Sequence, residues 1–295
     1  MRKIITLLSL LFVLLPASAQ SLGFLLLSGD AATAGMAGAG VAMEGTAYAP
    51  DINMASAALS QGKMDAAAGY TKWSPSYGKN TILSASGYFK VSKKIAIGAD
   101  WKHFGIPSYD ITSSEGRVTG SYSPKEFALG LGFSYEIVNG LAAGVHLKFA
   151  SSSMAEKASG SAFGADISLQ YRNGGLCAGL AADNLGTKVK YGENAYSMPL
   201  RIRAGASYTI VGVTAAAEAQ LVGSAFMAAL GAQYNWNNTV FVRAGYHLGP
   251  ETAPIPSYLS LGVGVKIAGI HADVCYMTAS QTLGNTLGVS LGYAF

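Results

Sequence analysis

The sequence predicts an all-β protein, a 14-stranded antiparallel transmembrane β-barrel with an N-terminal plug segment. Three observations carry this. Charged residues make up only 12% of the 295 residues while apolar residues make up 50%. Past the first fifteen positions, Gly, Ala and Ser interrupt every apolar run before it reaches the length of a membrane helix. The chain also ends in a strand whose two faces differ sharply. Leu287, Val289, Leu291, Tyr293 and Phe295 share one face; Gly288, Ser290, Gly292 and Ala294 share the other. A strand between lipid and a lumen reads this way, because only alternate residues meet lipid. A soluble sandwich would carry far more charge on its wet face.

The elements follow in order. Arg2 and Lys3 begin a basic region, Ile4 to Leu15 is a short apolar run, and Ala17-Ser18-Ala19 is a small-x-small cleavage site. Residues 1–19 are therefore expected to be a signal peptide cleaved after Ala19. Loss of Arg2 and Lys3 takes the formal charge from +4 to +2. With no basic stripe, no nucleic-acid partner is implied. Residues 20–62 are rich in small residues and lack a strand period, so they are expected to fold as a compact plug with a short helix near Ser56. Gly38-x-Gly40 lacks the strand–loop–helix setting of a dinucleotide site, and no cofactor is expected.

Residues 63–295 are expected to form the outer-membrane barrel. Strands are predicted at 63–73, 80–91, 94–104, 125–137, 140–151, 161–173, 175–185, 199–210, 212–222, 226–236, 239–248, 257–268, 270–279 and 286–295. Tight turns at Ser92-Lys93, Val138-Asn139, Asn173-Gly174, Val211-Gly212, Asn237-Asn238 and Ala268-Gly269 suit two-residue hairpins. They alternate with longer polar connections at 74–79, 105–124, 152–160, 186–198, 249–256 and 280–285; only that near Gly223-Ser224 is short. Short turns belong on the periplasmic side, which places Phe295 there too.

Charge falls on one phase of the strands. Asp100, Lys102, Asp166, Arg172, Arg201, Arg203, Glu218, Arg243 and Asp273 all alternate with apolar neighbours. A lysine facing mid-bilayer lipid would cost about 2–4 kcal/mol, so these residues are predicted to face the lumen. They have two readings: charges that pair across strands and with the plug, or a polar path. Arg201 and Arg203 are expected to pair with Glu218 on the next strand. Aromatics including Trp73, Tyr88, Trp101 and Tyr293 are read as interfacial belts. Cys177 and Cys275 are expected to be unpaired, being far apart around the barrel. His103, His146, His247 and His271 do not cluster in sequence. No Gly-x-Ser-x-Gly elbow or Asp-x-Asp loop is present, so no catalytic residue and no metal site is predicted.

The segment Gly35-Met36-Ala37-Gly38-Ala39-Gly40-Val41-Ala42, the Tyr70-Thr71-Lys72-Trp73 strand end, the Tyr122-Ser123-Pro124-Lys125-Glu126-Phe127-Ala128 junction and Gly160 to Ile167 resemble the PorV/PorQ family of outer-membrane proteins. That family is similar in fold to the FadL fatty-acid transporters. At the plug, where the family reads Asn-Pro-Ala, this chain has Asn53-Met54-Ala55. The resemblance implies a non-enzymatic accessory of type IX protein secretion in the Bacteroidota. It would bind cargo C-terminal signal domains and work with other type IX components. The alternative it implies is a FadL-like transporter of a hydrophobic small molecule. Either protein would sit in outer-membrane lipid. The barrel-insertion machinery would read Tyr293 and Phe295 as the terminal signal.

Overall fold

The computed structural model describes residues 20–73, 79–155, 158–278 and 284–295. The predicted leader and its cleavage site lie outside the described residues. Eighteen strands are present among the described residues: β1 (Met64–Trp73), β2 (Asn80–Lys90), β3 (Ile95–Gly105), β4 (Tyr109–Thr112), β5 (Val118–Tyr122) and β6 (Lys125–Val138). Then follow β7 (Leu141–Ala155), β8 (Ala158–Asn173), β9 (Leu176–Gly186), β10 (Val189–Tyr191), β11 (Asn194–Tyr196) and β12 (Arg201–Ile210). The last are β13 (Val213–Val222), β14 (Ala225–Trp236), β15 (Val240–Leu248), β16 (Tyr258–Ile267), β17 (Ile270–Met277) and β18 (Thr286–Ala294).

Fourteen of these close into one antiparallel barrel, each beside its neighbour in the chain, with β1 pairing β18 across the seam. These are the fourteen predicted strands. Closure leaves no unpaired edge, which a bilayer would not tolerate. The seam runs from Asp65 opposite Ala294 to Lys72 opposite Leu287. Phe295 completes it: its N–H donates to the Met64 carbonyl, and its own carbonyl accepts from the Lys63 and Met64 N–H groups.

Alternation is strict where it was predicted. On β18, Leu287, Val289, Leu291 and Tyr293 face outward, while Ser290 is buried inside. Leu131, Phe163 and Leu230 are each at least 60% exposed on the outer wall, an apolar surface suited to lipid. Two aromatics break the belt reading. Tyr88 is buried and faces inward, its hydroxyl 2.5 Å from Ser60 Oγ. Trp73 is half-buried and packs on interior residues.

The tight turns share one rim, together with Phe295. Asn237 and Asn238 both have positive φ, as a two-residue hairpin requires. At the opposite rim the connections differ from expectation. The 105–124 connection holds the β4–β5 hairpin, and 186–198 holds the β10–β11 hairpin. The predicted polar loop at 152–160 is mostly strand. β7 and β8 run on, pairing Ser153 with Ser159, so the wall rises here beyond the length needed to cross the membrane. Serines at 151–153 can pair as strand residues above the lipid level as readily as they can form a loop.

This topology makes a first prediction. Trypsin added to whole cells should cut at Arg117, which lies exposed between β4 and β5, and should spare Lys93 in the β2–β3 turn. Cutting at Lys93 with Arg117 intact would invert the orientation.

Residues 22–60 lie within the barrel. They form a 3-10 turn (Gly23–Leu26) and three short helices, Ala31–Ala34, Ala49–Ile52 and Ala55–Leu59, rather than the single helix expected near Ser56. Met36, Ala37, Val41, Ala47, Ala55 and Ala57 are almost wholly buried. Glycines on the inner wall make the room. A Cβ on Gly245 would lie 2.5 Å from the Met36 carbonyl carbon and 2.7 Å from the Ala37 nitrogen. One on Gly144 would collide with the Ala55 nitrogen.

Candidate functional site in the lumen

The inner wall holds the N-terminal segment by polar contacts to its backbone. Helices this short leave most of their N–H and C=O groups unpaired within the element, and burial makes each unpaired group costly. The wall supplies partners. Glu218 on β13 accepts from the Gly40 and Val41 N–H groups at 2.9 and 2.7 Å. Ser207 donates to the Ala42 carbonyl, Ser86 to that of Ala47, and Ser260 to that of Gly35. Asp65 accepts from the Ala47 N–H.

Asn53 is the centre of a second set. Its Nδ2 donates to the Val41 carbonyl at 2.6 Å and to Gln170 Oε1 at 2.9 Å. Its Oδ1 accepts from the Ala55 N–H, which also reaches Ser168 Oγ. Met54 is buried beside Gly98 and Gly132, where its thioether takes the space that side chains would fill. The Asn53-Met54-Ala55 triplet thus joins β6, β7 and β8 to the segment. Asn53 can hydrogen-bond the Ala55 N–H, so a helix starts after it without the family's proline.

The charges form four inner clusters. Lys102 on β3 holds both carboxylate oxygens of Asp51 at 2.9 Å and donates to the Leu27 carbonyl at 2.7 Å. Burial pushes the Asp51 carboxyl up, but the adjacent Lys102 ammonium outweighs it and holds Asp51 below the usual carboxylate range. Burial has no such answer at Asp30, whose carboxyl is raised although it caps the Ala31–Ala34 helix.

In the second cluster, Asp183 Oδ2 accepts from Arg201 Nε and from Arg203 Nε, each at 2.8 Å. Arg201 also donates to the Leu26 carbonyl and Arg203 to that of Ile52. The expected partner, Glu218, lies farther away, 3.7 Å from Arg203 Nη1. Arg203 thus keeps its ion pair with Glu218, but Asp183 takes the direct hydrogen bonds, because β9 and β13 flank β12 on either side and Arg201 sits opposite Asp183 in register. Both Glu218 oxygens point inward, but one is already committed to the segment's backbone.

The third cluster runs along the wall. His146 Nδ1 lies 2.9 Å from Asp166, and its Nε2 lies 2.5 Å from Asp100. Lys148 bridges Asp166 and the Asn184 side chain. The pairing of β8 with β9 slips between Ala165 and Ile167, and Asn184 takes a positive φ there, donating its N–H to Asp166. The fourth cluster lies nearer the tight-turn rim, where Arg243 pairs with Asp273 at 2.5 Å and His271 with Asp65 at 2.8 Å.

Arg172 stands apart from the predicted set. It is half-exposed at the mouth, where it meets Glu44 at 3.4 Å. The other eight predicted charges line the interior. Sequence reading missed Asp183, Asp51, Asp65 and Lys148. Asp183 carried a signal, since it shares the inward phase of Cys177, Gly179 and Ala181. Asp51 carried none, because the plug has no period. Cys177 and Cys275 are both free and buried. Among the described residues, no group of three acidic, His or Cys side chains could hold a metal ion.

Between the segment and the wall lies a cavity of about 60 Å³, lined by Leu26, Asp51, Arg201, Gln220, His247 and Ile255 among others. Ligand pockets are typically about 300–1,000 Å³, so this space suits a few waters. Gln220 Oε1 and His247 Nε2 beside it lack protein partners, and water can satisfy them.

The family profile described as Type IX secretion system protein PorV matches residues 17–219, more than half of the chain. The chain belongs to the PorV family. Solved structures similar in fold are the toluene transporter TodX of P. putida, TbuX of Ralstonia pickettii and a Pseudomonas aeruginosa FadL homologue. TodX has a TM-score of 0.72 at 12% identity, covering 89% of this chain and 97% of that one. TbuX has 0.67 at 13%, covering 90% and 98%. The FadL homologue has 0.64 at 11%, covering 95% and 100%. At these identities the likeness is one of fold. Among curated proteins, none matches the sequence. This PorV-family chain is thus an outer-membrane barrel of type IX secretion with the FadL-type wall.

Proposed function

We propose that the protein is a non-enzymatic accessory of type IX secretion that binds or shuttles cargo through their C-terminal signal domains. The observation that carries this reading is the filled lumen. Buried backbone and four inner charge clusters occupy the bore, and the cavity between segment and wall measures about 60 Å³. A barrel so filled presents its outer rim rather than a channel, and that rim carries the β4–β5 hairpin, whose residues are largely exposed. The reading includes the division into leader (1–19), plug (20–62) and barrel (63–295), and insertion through Tyr293 and Phe295.

The test removes the hairpin without touching the wall. Gly105 and Lys125 are paired neighbours, so a short turn can replace the residues between them. A purified cargo signal domain should co-purify with the intact barrel. Its capture should fall about tenfold or more in the hairpin-deleted variant, a loss of at least ~1.4 kcal/mol. If no signal domain is captured while a hydrophobic solute is retained in the lumen, the reading fails.

That outcome would favour the second reading, passage of a hydrophobic small molecule, which the fold shared with toluene transporters supports. In it, Asn53, Met54 and Ala55 are the moving part of the plug. The inner charges from Asp100 to Asp273 border the path that opens.

A further inference from the structure

The outer wall is not uniform. Across β1, β2 and β3 the lipid-facing positions carry Ala66, Ala68, Ala85, Gly87 and Ala99, as those of β12 and β13 carry Ala204, Ala206, Ala215, Ala217 and Ala219, whereas β6, β16 and β18 carry Leu, Val, Ile or Phe. The register sets them side by side: Ala66 opposite Gly87, Gly87 opposite Ala99, and Ala68 opposite Ala85. The result is a groove of about 830 Å³ on the outside of the barrel, walled by Trp101 and Leu129 on one side and by Ile270, Leu291 and Tyr293 on the other.

At the tight-turn end of this groove the surface turns basic. Lys63 lies three residues before Ala66, about 10 Å along an extended strand. Its ammonium sits 5.5 Å from the centroid of the Phe89 ring, which is two residues beyond Gly87 on the same outward face of β2. Lys93 and Lys94 are exposed in the adjoining β2–β3 turn. Lys90 N–H donates to the Lys63 carbonyl, which ties the two segments together. Two acids are near: the Glu136 carboxylate, engaged by the Gly140 N–H, and the Phe295 carboxylate, engaged by the Lys63 and Met64 N–H groups. Lys90 itself is committed inward to the Ser60 carbonyl.

We infer that this groove binds one anionic phospholipid of the inner leaflet, with its headgroup phosphate on Lys63, Lys93 and Lys94 and its acyl chains along the alanine floor. An acyl chain fits because small side chains leave a concavity that straight hydrocarbon fills, gaining contacts that a flat wall would not offer. The lysines select the headgroup, since each basic residue near a membrane surface favours anionic lipid. The aromatic walls, Trp101 and Tyr293, border the chain region. This site lies on the outside of the barrel and does not depend on what the lumen or the outer hairpin does.

The test is native mass spectrometry of the full barrel released from detergent. The detergent is doped with equal phosphatidylglycerol and phosphatidylethanolamine of matched chains. The wild type should retain one phosphatidylglycerol with about tenfold preference. Lys63→Gln/Lys93→Gln/Lys94→Gln should remove the preference. Ala68→Leu/Ala85→Leu, which fills the groove and leaves the lysines, should remove the retained lipid altogether. Heat-modifiable gel migration checks that each variant is folded. Equal retention of both lipids would overturn the proposal. So would retention unaffected by groove filling, which would indicate headgroup adsorption only, or a second protein copy in place of lipid.

Discussion

Replacing Asp183 with Ala is expected to cause the largest loss of stability of any single change in the lumen. Asp183 is 3% exposed and is the shared anion of two guanidiniums, the buried Arg203 and the largely buried Arg201. Without it, Arg203 keeps Glu218 at 3.7 Å, and Arg201 keeps only the Leu26 carbonyl. Breaking a buried pair by removing one partner costs about 3–5 kcal/mol, because a charge is left uncompensated. The temperature at which the folded band disappears on a heat-modifiability gel should fall markedly. Removing the stranded charges as well, in Asp183→Ala/Arg201→Met/Arg203→Met, should restore much of that loss. An Asp183→Ala barrel as heat-stable as the wild type would show that water reaches these arginines and that the cluster does not hold the plug.

Gly245→Leu is expected to open the bore. The Cβ alone would stand 2.5 Å from the Met36 carbonyl carbon and 2.7 Å from the Ala37 nitrogen. Both are backbone atoms of the N-terminal segment, so no side-chain rotation relieves the clash. Ala37 and Gly38 already occupy positive φ, which leaves little further freedom. Overpacking a filled interior costs about 1–3 kcal/mol. The wall, closed by hydrogen bonds on every strand, will yield less than the short helices it surrounds. In planar bilayers the wild type should show no large steady conductance. Gly245→Leu, and more so Gly144→Leu/Gly245→Leu, should show one as the segment shifts. A wild-type barrel with a large steady conductance would sink the closed-lumen description on which the cargo-binding proposal rests.

The two predictions depend on different kinds of information. Glycines such as Gly245 stand on the inward phase of strands that could be counted in the sequence. What they make room for could not be read there. Closure of the wall around the N-terminal segment brings residue 40 against residue 218 and residue 51 against residue 102. Such contacts carry no local period. The pairing of Arg203 shows the limit sharply. Its strand has two neighbours, and both present a carboxylate on the inward phase. Phase alone could not choose between Asp183 and Glu218, whereas register and the claims of Gly40 and Val41 on Glu218 did.

The sequence by itself determined the number of barrel strands, their phase and the rim on which the tight turns gather. It could do so because lipid imposes a cost residue by residue, and a period of two survives in any short segment. The tertiary structure alone decided three things: the filling of the bore by residues 22–60, the choice of ion-pair partners, and the extension of β7 and β8 beyond their expected ends. Each depends on contacts between segments far apart in the chain, and these exist only once the barrel has closed.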